Sequence, residues 1–214
     1  DGLVTVHAEL GDEIEQLRKQ FIREGKVAPK YHPLSRPNRM ESGAIQKVIN
    51  FSKKTNCKVY IVHVSAAESV ALIRKAKREG VSIFAETCPH YLLLDDAVYE
   101  GKFEETAPYV LSPPIRKKND QEALWQGIFD GTIDTIGTDH APFYLNGQKD
   151  RGRDVFTQIP NGAGSVEFRL PLLFTYGVLN RKLPIHRFVE LTAKNPAKIF
   201  GLNTKGELII GNDA

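Results

Sequence analysis

The sequence predicts an α/β protein built on parallel strands, and three observations carry that expectation. Strand-like and helix-like segments alternate almost without interruption through the 214 residues, the pattern of βα units joined by right-handed crossovers. Apolar runs lead into residues able to bind metal. Leu3-Val4-Thr5-Val6 ends in His7, Val59-Tyr60-Ile61-Val62 ends in His63, and Thr132-Ile133-Asp134-Thr135-Ile136 enters Gly137-Thr138-Asp139-His140-Ala141-Pro142-Phe143. About four strong strands are visible, half of an eight-stranded barrel, a fold that keeps its chemistry at the carboxyl ends of its strands.

Each element has its own signal. Strand 3–7 is followed by a helix over 12–24, where Ile14, Leu17, Phe21 and Ile22 mark an apolar face. Tyr31-His32-Pro33-Leu34-Ser35-Arg36-Pro37 is expected as a loop, its prolines excluding regular helix. A helix over 44–55 shows Ile45, Val48, Ile49 and Ser52 at helical spacing. Strand 58–63 and a helix over 67–79, stopped by Gly80, come next. Strand 81–86 leads into Cys88-Pro89-His90; helix 120–130 stops at Gly131, and strand 132–137 delivers Asp139. Beyond a glycine-rich, charged loop over 144–165, helices are expected near 166–179 and 185–200.

Composition narrows the function classes. A formal net charge of +3 is too small to argue for nucleic acid, and the longest basic run, Arg116-Lys117-Lys118, reads as a solvated loop. No apolar stretch approaches the length of a membrane span, and the acidic start has neither the basic nor the apolar region of a secretion signal. Cys57 and Cys88 have no zinc-knuckle spacing and read as core or near-core thiols of a reducing compartment, so the cytoplasm is the expected location.

His7, His63 and Asp139 form the core of a candidate metal site, since imidazole nitrogen and carboxylate oxygen suit a borderline cation and strand ends hold them rigidly. Singly, each also reads as a hydrogen-bonded structural residue or a cap; repetition on separate strands weakens that alternative. A hydrolytic site needs a group that takes a proton from water and returns it to a leaving nitrogen, a role open to Asp139. His140 is either an orienting neighbour of that site or a packed loop residue. The proline- and glycine-rich stretches Ser112-Pro113-Pro114-Ile115-Arg116 and Ile159-Pro160-Asn161-Gly162-Ala163-Gly164 suit recognition of a small imide or amide through backbone groups, though plain turn chemistry also explains them. His90, after a strand, is a further candidate, while His32 and His186 read as structural.

Taken together, VHAE (6–9), SRP (35–37), IVHVS (61–65), ETCPHYLLL (86–94), SPPIR (112–116), GTDHAPF (137–143) and FTQIPNGAGSVEFRLPLLF (156–174) resemble the cyclic amidohydrolases. The similarity runs essentially from residue 3 to 213 and is greatest to the dihydropyrimidinase and hydantoinase branch. It implies a distorted (β/α)8 TIM-type barrel of the metal-dependent amidohydrolase kind, of which this chain holds the later strands only. Residues 1–205 would be the C-terminal half of the barrel, and 206–214 the start of the connection to a small β-rich domain. The resemblance also implies two divalent metal ions, usually zinc. His7 and His63 match ligands of one metal. Asp139 matches a ligand of the other and the general acid/base, and Ser112 and Asn161 match substrate contacts. The reaction implied is hydrolytic opening of a five- or six-membered cyclic amide, as in pyrimidine breakdown, by a homotetramer.

The departures are as definite as the matches. The family's early His-x-His pair, its metal-bridging carboxylated lysine and its substrate-contacting tyrosine have no counterpart here and are expected upstream. This chain by itself should therefore bind at most one metal well and should not turn over substrate. Dihydroorotases and allantoinases share the architecture and remain alternatives, although the FTQIPNG stretch favours the dihydropyrimidinase branch. A non-catalytic dihydropyrimidinase-like scaffold is the other alternative, and retention of His7, His63 and Asp139 argues against it.

Overall fold

The computed structural model describes residues 2–213. Four short strands, β1 (Val4–Val6), β2 (Val59–Ile61), β3 (Ile83–Thr87) and β4 (Thr135–Ile136), lie side by side in chain order. Every pairing is parallel, with Val6 opposite Ile61, Ile61 opposite Ala85 and Thr87 opposite Ile136. Parallel neighbours need a crossover between them, and helices supply it. The β1–β2 connection holds α1 (Gly11–Arg23), α2 (Tyr31–Ser35) and α3 (Asn38–Thr55); β2–β3 holds α4 (Ala67–Arg78). Between β3 and β4 run α5 (Pro89–Leu93), α6 (Phe103–Thr106) and α7 (Lys118–Phe129). After β4 come α8 (Arg169–Leu172), continued by a π-helical stretch Leu173–Asn180, then α9 (Ile185–Val189), a second π-helical stretch Glu190–Lys194, and α10 (Asn195–Ile199). The sequence expectation of a half barrel of βα units holds.

The helices cover the sheet because their apolar faces have nowhere else to go. α3 packs on α4, and α4 on α7. Their buried Ile45, Ile49, Val70, Ile73, Leu124 and Ile128 join Val59, Ile61, Ile83 and Ala85 of the strands in one core. All three residues of β2 are buried, as expected of a central parallel strand covered on both faces. Trp125 is buried on α7, with its indole N–H donated to Leu92 O at 3.1 Å. No helix among the described residues is long and apolar enough to cross a membrane.

Most expected elements shift by one to three residues at their ends, and three segments differ for a physical reason. The segment around Pro33 is not a plain loop but contains α2. Pro33 is only its third residue, inside the first turn, where backbone N–H groups have no intrahelical acceptor and a proline forfeits nothing. α3 begins at Asn38, directly after an extended Pro37, instead of at 44. Its first turns bury Met40 and Glu41, and a buried carboxylate hides the apolar periodicity. β4 is two residues long because Thr132 and Ile133 finish α7: Thr132 N–H goes to Asp130 Oδ1 at 2.9 Å and Ile133 N–H to Gly127 O at 2.9 Å.

His32 of α2 is structural, as its position suggested. It is buried, and Nε2–H donates to Leu111 O at 2.7 Å, tying α2 to the loop ahead of Ser112. Burial, with the Arg36 charge nearby, pushes its pKa down to about 3. As pH falls below about 6.5 the unfolded chain takes the proton first, so stability is complete above that pH and declines toward pH 3. Between pH 7 and 5 this one group should remove about 2 kcal/mol. His32→Asn should show a correspondingly shallower decline in urea midpoint; an unchanged pH slope would mean that His32 is not the buried neutral group.

Candidate functional site

The register of β1 and β2 brings the two strand-end histidines together. His7 follows Val6 directly and His63 lies two residues beyond Ile61, and their Nδ1 and Nε2 atoms are 2.9 Å apart. The other nitrogen of His7, Nε2, lies 3.0 Å from Glu9 Oε2, and Arg36 Nη1 bonds the same oxygen. Glu9 is thereby held as an anion. Burial alone would raise its pKa, but the hydrogen bond from His7 and the Arg36 charge outweigh it and hold the carboxyl below its usual range. An anionic acceptor behind Nε2 fixes the proton there and leaves the Nδ1 lone pair facing His63. His63 Nδ1 is buried without a partner, so no second hydrogen bond fixes the proton on either of its nitrogens: Nε2–H can donate to His7 Nδ1, or, with the proton on Nδ1, Nε2 can present its lone pair to a cation. Burial first, and the neighbouring His7 second, lower the His63 pKa and keep it neutral.

His63 and Asp139 share an uncommon backbone. Their φ values are 42° and 47°, in the left-handed region that few residues other than glycine adopt. Asp139 stands exposed three residues past β4, and among the described residues no side chain hydrogen-bonds to its carboxylate. Its charge is one of those felt by His63. Gly137 allows the approach: a Cβ there would sit 2.3 Å from the Glu86 side chain, which rises from β3 and accepts the Tyr60 hydroxyl at 2.8 Å.

The turn after His63 is pinned from below. Glu41 of α3, 2% exposed, accepts Ser65 N–H and Ala66 N–H, each at 3.1 Å, as well as the Ser65 hydroxyl. Arg116 lies against it, with Nη2 3.6 Å from Glu41, Nε 3.0 Å from Ser65 Oγ, and Nη1 on Arg36 O. The expectation that residues 116–118 form a solvated basic loop is therefore corrected at its first member. Lys117 and Lys118 are exposed, but Arg116 is buried, its charge facing the Glu41 carboxylate and its Nε and Nη1 bonded to a hydroxyl and a carbonyl, while Nη2 makes no hydrogen bond.

Ser112 and Asn161 meet, Ser112 Oγ donating to Asn161 Oδ1 at 2.9 Å. His140 turns away to the same stretch: its Nδ1 accepts Ser165 N–H at 3.0 Å and Val166 N–H at 3.2 Å, and Ala141 N–H reaches Ala163 O at 3.1 Å. In this arrangement it latches the 161–166 loop to the end of β4. His90, on α5, keeps both ring nitrogens buried and unpartnered, and burial first, then repulsion from any proton on the neighbouring His63, lowers its pKa to about 4. It lines a cavity of about 560 Å³ together with Leu111, Gly162 and Lys149.

Among the described residues no group of three or more His, Cys, Asp or Glu side chains forms a metal cage. The His7–His63 pair nevertheless fits two ligands of one ion: converging nitrogens, an anionic Glu9 behind one ring and an orphaned nitrogen on the other.

Comparison with known proteins gives the family and the fold. The profile described as Amidohydrolase family matches residues 1–214. The chain belongs to the amidohydrolase family. A D-hydantoinase from Ralstonia pickettii is 44% identical over 214 residues, covering 100% of this chain and 47% of the relative. A D-hydantoinase from Rhizobium radiobacter is likewise 44% identical, over 100% of this chain and 47% of its own length. The crystal structure of a dihydropyrimidinase from Brevibacillus agri superposes with a TM-score of 0.98 at 42% identity, covering 100% of this chain and 46% of that one. The chain thus spans about half the length of the relatives it matches.

Sequence reasoning missed four residues that shape this site: Glu9, Arg36, Glu41 and Lys149. Two had a signal. Glu9 lies two residues after a strand-end histidine, and Arg36 sits inside the SRP motif. Glu41 and Lys149 read as ordinary surface charges, and only the fold shows them buried.

Proposed function

We propose that the chain is the later half of the barrel of a metal-dependent cyclic amidohydrolase. The reaction is hydrolysis of the ring amide bond of dihydropyrimidines or 5-substituted hydantoins to N-carbamoyl amino acids. The single observation that carries this reading is the His7–His63 pair, its nitrogens 2.9 Å apart at neighbouring strand ends, in a chain 44% identical to a D-hydantoinase.

In this reading His7 Nδ1 and His63 Nε2 hold one divalent ion and Asp139 a second, zinc in both cases. When bound, such an ion supplies Lewis acidity toward the substrate carbonyl and acidifies water. The chain's own residues do the rest. Glu9 keeps the His7 proton on Nε2, so that Nδ1 remains a donor of electrons. Ser112 and Asn161 set backbone groups against the imide edge of the ring and hold the scissile bond in register. Asp139, exposed and unbonded, takes a proton at its carboxylate and delivers it to the departing ring nitrogen, which leaves as the neutral amine of a ureido group. The residues of a two-metal centre that have no counterpart here, the tetrameric assembly and a place in pyrimidine breakdown rest on the resemblance alone, and a cytoplasmic location on the two free thiols.

The test is ring opening by the whole protein that carries this chain, on dihydrouracil and on a 5-substituted hydantoin, with zinc determined on the same sample. Activity with about two metals per chain is expected. No activity on either ring despite bound metal would redirect the assignment to dihydroorotate or allantoin. Absence of metal would favour a non-catalytic scaffold.

A further inference from the structure

We infer that Lys149 is a positioning residue, a buried ammonium that locks the loop bearing Ser112 to the loop bearing Asn161 and so sets the spacing of the two substrate contacts. The inference rests on the assignment of those loops to substrate in the preceding section.

Lys149 is 2% exposed, an unusual state for a lysine. Its Nζ donates to Val110 O at 2.9 Å and to Pro160 O at 2.9 Å. Val110 lies two residues before Ser112, and Pro160 immediately precedes Asn161. The ammonium therefore bridges the backbones at the roots of both contacts. The Phe143 ring, with its centroid 5.8 Å from Nζ, flanks it. Among the described residues no carboxylate pairs with it, so backbone carbonyl dipoles and a ring face carry the charge; burial lowers its pKa to about 8.

A buried cation without a counter-ion costs the fold free energy that a methionine of similar length would not. If the site only needed filling, an apolar side chain would serve better. What a methionine cannot do is bond two carbonyls at once. Two further bonds join these loops, Gly162 N–H to Val110 O at 3.0 Å and Ser112 Oγ to Asn161 Oδ1 at 2.9 Å, but both are between neutral groups, whereas the two from Lys149 are charge-assisted. The base of the lysine is rigid. It opens the 3-10 turn Lys149–Gly152, and a Cβ on Gly152 would fall 2.4 Å from Ile159 N, so this turn is pressed onto the chain leading to Asn161.

The experiment compares Lys149→Met with the unmodified whole protein. KM for the ring substrate is expected to rise about tenfold or more while kcat stays within about threefold and metal content is unchanged, the signature of a misplaced binding contact. Hydrogen exchange at the Gly162 amide, which reads the loop junction without any activity, should accelerate about tenfold. If Lys149→Met does not fold, Lys149→Gln, shorter but still a donor, should give the same two changes at smaller size. Unchanged KM with unchanged Gly162 protection overturns the inference, and so does a lowered Tm with neither change. Faster exchange in a protein that opens neither ring would support the clamp and remove the function assigned to the loops it joins.

Discussion

Asp139→Asn in the whole enzyme is expected to lower ring opening by about a hundred- to ten-thousand-fold while leaving the protein folded. The substitution is isosteric, and asparagine tolerates left-handed backbone well, so the φ of 47° at this position presents no obstacle. Nothing among the described residues depends on the carboxylate for a hydrogen bond. What disappears is the group that, on the proposed reading, accepts a proton and returns it to nitrogen. An ion held, as proposed, by His7 and His63 should stay in place, because neither histidine takes its orientation from Asp139: Glu9 orients one and the turn above Glu41 the other. Steady-state rates with metal analysis on the same sample provide the check. A variant within threefold of the parent rate would take the proton-transfer role away from Asp139.

Glu41→Ala should be the most damaging single change to the fold near the site, at about 3–5 kcal/mol. It strips the acceptor from Ser65 N–H and Ala66 N–H and leaves Arg116, 6% exposed, beside no carboxylate. The cost arises chiefly from the uncompensated charge and the stranded amides, since the intact pair merely offsets its own desolvation. Urea denaturation measures it, and the double variant Glu41→Leu with Arg116→Met should recover much of the loss because it removes both charges together. A loss below about 1 kcal/mol for Glu41→Ala would show that water or a rearranged turn replaces the carboxylate. Metal affinity should fall with stability, because Ser65 is two residues from His63 and the same carboxylate shapes that turn.

Much of this architecture was legible in the chain. Val59-Tyr60-Ile61-Val62 and its counterparts are short apolar runs between helical periodicities, and parallel pairing in chain order follows from the alternation. The placement of His7 and His63 at neighbouring strand ends follows from the same pattern. Less legible was whatever depends on a charge being inside. Arg116 and Lys149 look like surface residues in any linear reading, because the carbonyls and the carboxylate that satisfy them come from segments 11 to 80 residues away. Glu41 concealed the first turns of α3 for the same reason. Thr132 and Ile133 have the composition of a strand, yet their N–H groups are spent closing α7, a competition that periodicity does not register.

The left-handed turns at His63 and Asp139 bear on how such a chain ages. At a φ near +45° the fold by itself would favour glycine, and any residue with a side chain costs it about 1 kcal/mol, asparagine and aspartate least. Histidine and aspartate at these points therefore work slightly against folding. A lineage freed from its chemistry would gain stability by discarding them, and drift would carry both sites toward glycine or asparagine. If the proposed reaction is what retains them, their joint presence is the trace that selection for chemistry leaves in a backbone that shape alone would not choose.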